Sequence, residues 1–274
     1  MSNPFAIASD DSILAMEDVV SNGPFPIRFP SRSLPQDEEW CEVRIEGSWK
    51  KIRFHDYDQV YKVPGLYETI FYRTLRCNSP FRVSTFVSEV MSELGLDLHG
   101  ARALDLGAGN GMSGEALQNI GVRKIVGIDL LNEARDAALR DRPWVYDHYL
   151  AADLSDLNKE QADFLQAYKF NMLCTVAALG FGDIPPSAFY HAFNLIQDGG
   201  IVVFNIRGEF LKRNSGSPFA DFVECLIENE FMEVELLKKY QHRLNTQGQP
   251  IYYVGVVARK NAKIPAQFLS TFAN

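Results

Sequence analysis

The stretch Ala103–Leu117, ALDLGAGNGMSGEAL, decides the fold. ALDL reads as the end of a short apolar strand, Gly107, Gly109 and Gly111 follow in quick succession, and MSGEAL opens a helix. Glycines suit this place because the backbone must turn tightly and approach a ligand without a Cβ in the way. The helix start beyond the turn presents unpaired amides to it. Gly109, Gly111 and Gly114 also spell GxGxxG, the dinucleotide fingerprint. The loop by itself therefore leaves the choice of nucleotide cofactor open.

Outward from the loop, the chain alternates strand and helix. Strands are expected at Ala101–Leu106, Lys124–Asp129, Tyr149–Ala152, Phe170–Ala177 and Ile201–Ile206. Between them lie amphipathic patterns such as Phe189, Ala192, Phe193 and Ile196. Runs as apolar as IVVF need cover on both faces, which implies a mainly parallel sheet between helix layers. The ending differs: MEVELLKKYQHRL and PIYYVGVVARK are separated only by NTQGQ, too short for a crossover, so this pair must be antiparallel. The expected class is α/β, Rossmann-like, with five parallel strands closed by a terminal hairpin.

Upstream, residues 1–82 read as an extension and 83–274 as the cofactor-binding domain. The first forty residues hold too many prolines for regular structure. Glu42–Phe54 reads as a hairpin with its turn at Gly47-Ser48, and Tyr57–Leu75 as two short aromatic helices broken at Pro64-Gly65. Val83–Leu94 is an amphipathic helix.

Composition narrows the partners. The chain has 274 residues, 46% hydrophobic and 23% charged, with a formal net charge of −8. That balance opposes a broad nucleic-acid footprint, which needs clustered Lys and Arg. Cys41, Cys77, Cys174 and Cys225 are far apart and form no CxxC pair, so neither a disulfide framework nor a structural zinc site is expected. The N-terminus lacks a signal-peptide pattern, and no uncharged apolar run reaches membrane-spanning length. A cytoplasmic protein is expected.

Three carboxylates bear on the cofactor. Asp129 ends the second strand of the series, placed to accept from a ribose diol at the sheet's carboxyl edge. Asp153 follows the third strand, where it can accept from an adenine amine while Leu154 packs on the ring. Asp105 lies beside the glycine turn. A negative charge there repels a pyrophosphate but suits a cofactor carrying an ammonium and a sulfonium.

This array resembles the class I S-adenosylmethionine-dependent methyltransferases. The resemblance covers about residues 83–260: the DxGxGxG loop at Asp105–Gly111, Asp129, the Ala-Asp pair at Asp153, and IQDGGIVVFNIR. It implies the strand order 3-2-1-4-5-7-6. The segment VAALGFGDIPPSAFYHAFNLIQDGGIVVFNIRGEF is further similar to the small-molecule branch related to the Williams-Beuren-region methyltransferases, with a glycine-proline loop after strand four and an Arg-x-Glu tail after strand five. The resemblance implies that Asp105, Gly107, Gly109 and Gly111 cradle the methionine moiety, that Asp129 holds the ribose, and that Asp153 and Leu154 hold the adenine. Ala108 and Leu130 complete the cofactor's surroundings, and Thr175 and Val176 face the reacting methyl. Asn171 stands where many members carry an acid.

Methyl transfer from a sulfonium needs alignment above all, which can supply ~7–11 kcal/mol of the barrier. No catalytic base is assigned: His55, His99, His148, His191 and His242 each also read as packing or surface residues. The aromatic segment Tyr57–Tyr72 is a candidate lid, with Tyr67 placed to meet the methionine end of the cofactor by hydrogen bonding or cation–π attraction. The expected activity is methyl transfer to a small-molecule acceptor. The alternatives are a nicotinamide-dependent oxidoreductase and a non-catalytic cofactor-binding protein of the same fold.

Overall fold

A computed structural model describes residues 24–179, 183–208 and 218–269. The chain divides into two compact units. The first holds the chain up to Cys77 together with Leu244–Pro250; the second holds Asn78–Arg243 and the chain from Ile251 onward.

In the first unit, β1 (Ile27–Arg28), β2 (Trp40–Ile45) and β3 (Ser48–Arg53) form a three-stranded antiparallel sheet. The hairpin turn falls at Glu46-Gly47, one residue earlier than the sequence suggests, because Ser48 already pairs with Ile45. Both turn residues take positive φ, 52° and 81°, as a right-twisted two-residue hairpin requires. β1 adds a short edge strand inside the proline-rich stretch, where coil is expected; edge strands tolerate nearby proline. Residues 1–23, the rest of that expectation, lie outside the described residues. Helix α1 (Tyr57–Lys62) and a wider, π-type helical turn at Glu68–Thr74 follow, separated around Pro64-Gly65 as expected. Phe54, Val60, Leu66, Ile70 and Leu75 form this unit's core.

The second unit begins with α2 (Ser79–Glu93). It continues through β4 (Arg102–Leu106), α3 (Met112–Asn119), β5 (Lys124–Asp129), α4 (Asn132–Asp141), β6 (His148–Ala151), α5 (Lys159–Tyr168), β7 (Met172–Thr175), α6 (Pro186–Leu195) and β8 (Ile201–Arg207). It closes with α7 (Pro218–Glu228), β9 (Met232–Leu244), β10 (Pro250–Lys260) and α8 (Ala266–Leu269). Seven strands form one sheet in the order β6-β5-β4-β7-β8-β10-β9. β4 through β8 pair in parallel, and β10 runs antiparallel to β8. This is the expected order, with the hairpin reversed at the far edge. Two core clusters, one around Phe189, Phe193, Phe204 and Phe222 and one around Phe86, Val87, Val90 and Val203, explain why the central strands carry no polar face. Among the described residues, no helix is long and apolar enough to cross a membrane.

Candidate functional site

The strand order reverses at β4. The chain runs β4, β5, β6 outward in one direction and then returns to place β7 on the other side of β4. In open α/β sheets the crevice at such a switch point, beyond the carboxyl ends of the strands, is where ligands bind. Here it is bordered by the glycine turn after β4 and by the ends of β5 and β7. Gly107, Gly109 and Gly111 take positive φ of 71°, 54° and 92°, a region closed to most side chains. The turn's amides are already engaged. Gly107 and Ala108 both donate to the Ile128 carbonyl (2.9 and 3.1 Å), Gly111 donates to the Ala108 carbonyl (3.0 Å), and Gly109 donates to Asp129 Oδ2 (3.0 Å). A phosphate nest needs these groups pointing outward. This turn instead spends four amides on its own framework.

Asp129 thereby ties two elements together, since its Oδ1 accepts from the Leu131 amide at 3.0 Å. Burial pushes its carboxyl upward, the amides of Leu131, Gly109 and Leu130 pull it back, and the charge of Asp183, from the loop after β7, raises it again.

Asp105 is fully buried beneath the turn. Its Oδ2 accepts from the Tyr146 hydroxyl at 2.8 Å. Burial pushes its carboxyl up to about 7; Tyr146 and the Gly114 amide favour the charged form, and Asp129 opposes it. The charge that sequence reading places beside the cofactor is therefore not fixed at neutral pH, and the argument against phosphate rests on the amides instead. Tyr149 completes the scaffold by donating to the Gly109 carbonyl at 2.7 Å, and its ring meets Tyr146 edge-on. Sequence reading missed both tyrosines. Two glycines carry their trace: a Cβ on Gly114 would lie 2.5 Å from Val145 Cγ1 and 2.8 Å from Tyr146 Cζ, and one on Gly127 would lie 2.9 Å from Tyr149 Cδ2. Gly114, the last glycine of the GxGxxG reading, thus makes room for a side chain.

The remaining expected residues of the second unit fall at the same edge. Asp153 is exposed and its Oδ1 accepts from the Ser155 amide at 2.8 Å. Leu154, expected against a ring, is packed into the larger core cluster. Leu130 presents the exposed apolar surface instead, at 67%. Thr175 ends β7 and Val176 follows it, both buried. Thr175 Oγ1 and Asp105 Oδ1 are buried polar atoms that close no hydrogen bond of ordinary geometry among the described residues. Such atoms at adjacent strand ends mark where a polar ligand group fits. Tyr67 belongs to the first unit, among Tyr61, Phe71 and Tyr72.

Of the histidines, His191 on α6 is half-buried; burial holds its imidazole below the ordinary range, against the pull of Asp153. His99 and His148 are exposed. His55 meets the ring of Tyr57. His242, which sequence reading left as an unremarkable hairpin residue, is buried and lies 2.6 Å from Ser79 Oγ.

No model of a known protein family matches the sequence. No curated protein matches it either. Solved structures do match the fold. The N-methyltransferase NodS from Bradyrhizobium japonicum, in complex with S-adenosyl-L-homocysteine, is 14% identical and matches over 76% of this chain and 98% of its own, with a TM-score of 0.51. Magnesium protoporphyrin IX methyltransferase from Synechocystis with bound S-adenosylmethionine is 12% identical, over 66% of this chain and 79% of its own, at 0.47. A ribosomal protein L11 methylase from Lactobacillus delbrueckii is 13% identical, over 66% and 78%, at 0.43. At these identities the likeness is one of architecture: the sheet and its order are those of the Rossmann-like methyltransferase fold.

Proposed function

We propose that this protein is an S-adenosylmethionine-dependent methyltransferase acting on a small molecule. The observation that carries the reading is the engagement of the glycine turn's amides at Gly107, Ala108, Gly109 and Gly111, which suits a nucleoside cofactor without phosphates. Asp129 would accept from the ribose diol, since a carboxylate offers about four lone-pair sites and the three amides of Leu131, Gly109 and Leu130 leave capacity over. Asp153 would meet the adenine amine and Leu130 the ring. Asp105, Thr175 and the backbone of the turn would hold the amino-acid end. Bound there, the cofactor would supply a methyl carbon activated by its sulfonium, open to in-line displacement by an acceptor's lone pair.

For the chain's own residues the task is alignment and exclusion of water. His191, a neutral imidazole within the field of Asp153, is the nearest candidate for taking a proton from an acceptor that must lose one. The acidic balance of the chain, −8, supports a small acceptor over nucleic acid. The similarity to the Williams-Beuren-region branch rests on sequence alone; Gly180–Gly182 and Glu209, which carry part of it, lie outside the described residues.

Incubating the protein with methyl-labelled cofactor and a cell extract, then separating the extract by size, tests both halves of the reading. Label in the small-molecule fraction supports it. Label confined to protein or RNA overturns the acceptor class, and no transfer beyond a no-enzyme control overturns the activity.

A further inference from the structure

Ala177, two residues past the end of β7, stands at φ +57°. An L-residue with a Cβ rarely occupies that region, and it persists only where the surroundings hold it. A side chain meets it there: the Ala177 amide donates to Asn205 Oδ1 at 2.6 Å. Asn205 sits on β8 and is fully buried. A backbone amide can only donate, so this bond also settles which end of the carboxamide is oxygen. The nitrogen end then donates to Ser79 Oγ at 3.1 Å and to the Tyr240 hydroxyl. Ser79 Oγ lies 2.7 Å from Tyr240 Oη and 2.6 Å from His242 Nδ1, and the His242 ring stacks on Tyr253 at 4.0 Å.

Ser79 from α2 and Tyr240 from β9 thus converge on the Asn205 carboxamide on β8, all of them buried. Taking so many polar groups out of water is costly unless each is bonded, and an apolar cluster of equal volume would hold the sheet as well. The cluster's reach toward the crevice distinguishes it from plain core. Ala178 and Ile184 pack on the glycine turn: a Cβ on Gly107 would lie 2.9 Å from Ala178 Cβ and 2.9 Å from Ile184 Cδ1. The backbone of Ala177 is the joint between this anchored cluster and that wall.

We infer that Asn205 is a positioning residue for the cofactor site: by holding Ala177 in the left-handed conformation it seats Ala178 against the glycine turn. The inference rests on the methyltransferase reading and adds a residue that touches neither cofactor nor acceptor. Without the Oδ1 acceptor, Ala177 relaxes to negative φ and Ala178 swings off Gly107.

Titration with S-adenosylhomocysteine, with near-ultraviolet circular dichroism to check folding, tests it through rescue. Asn205→Ala should weaken binding on the order of tenfold. Adding Ala177→Gly to that variant should restore most of the loss, because glycine takes positive φ without a Cβ penalty. Should Asn205→Ala fail to fold, Ala177→Val, which leaves the polar cluster intact, should show the same weakening while Ala177→Gly alone shows none. A purely structural Asn205 gives no rescue, and that result, or equal binding by Ala177→Val and Ala177→Gly, overturns the inference. Wild-type protein that binds while Asn205→Ala binds equally well ends this inference alone; wild-type protein that does not bind ends the methyltransferase reading and this one with it.

Discussion

Replacing Asp105 with asparagine should make the protein more stable and worse at binding its cofactor. The carboxyl is fully buried and pushed from an ordinary 3.8 up to about 7. In the unfolded chain it ionises freely above 3.8, so between 3.8 and 7 the folded form holds a proton that the unfolded form has released. Stability is therefore lost as pH rises through this window and stays lost above it. At ~1.4 kcal/mol per decade, the gap between 3.8 and about 7 comes to ~4 kcal/mol at pH 8. Asparagine removes that penalty and still offers an oxygen to the Tyr146 hydroxyl, but it turns donors toward the Gly114 amide, at a cost of ~1 kcal/mol. The net gain should be about 3 kcal/mol at pH 8 and close to zero at pH 5. Urea denaturation of both proteins at the two pH values measures the difference, in which the titrating groups remote from Asp105 cancel. S-adenosylhomocysteine affinity should fall roughly tenfold or more as the ammonium loses a charged partner. An asparagine variant less stable than wild type at pH 8, or a difference that does not grow with pH, would refute the reasoning.

Other perturbations separate scaffold from contact. Gly114→Ala should destabilise by ~1–3 kcal/mol, since its Cβ would lie 2.5 Å from Val145 Cγ1; the denaturation midpoint reads this. Leu130→Ala should do the opposite kind of damage. At 67% exposure its loss should move stability by no more than ~0.5 kcal/mol, while cofactor affinity drops about tenfold. His242 is held well below its usual range by burial and by Arg243. Below pH 6.5 the unfolded chain takes up a proton that the folded form refuses, so the contribution of His242 to stability should fall as pH drops from 6.5, by up to ~1.4 kcal/mol per pH unit, opposite in sign to that of Asp105. His242→Gln should flatten that slope in a pH series of thermal melts.

Much of this was legible in the chain because it is local. The central strands announce themselves as short apolar runs, and their ends carry Asp105, Asp129 and Thr175 to one edge whatever the details of packing. The NTQGQ connection forces an antiparallel pair by length alone. What escaped depends on distant partners. Nothing in DRPWVYDHY shows that Tyr146 and Tyr149 brace the glycine turn, though Gly114 and Gly127 hint that bulky neighbours press on α3 and β5. His242 sits in an ordinary-looking strand, and its partner Ser79 is 163 residues away in sequence. Asp105 shows the limit most clearly: sequence supplies the carboxyl, but whether it is charged depends on burial that only the assembled fold creates. The hairpin turn slipped by one residue because Glu46, not Ser48, takes the positive φ.

The central claim is that the glycine turn has its amides committed and so receives a nucleoside without phosphates. Equilibrium dialysis of the wild-type protein against S-adenosylhomocysteine and NADH, each alone and in competition, addresses it directly. The account predicts saturable binding of the first that the second does not displace. Saturable NADH binding that excludes S-adenosylhomocysteine would contradict it.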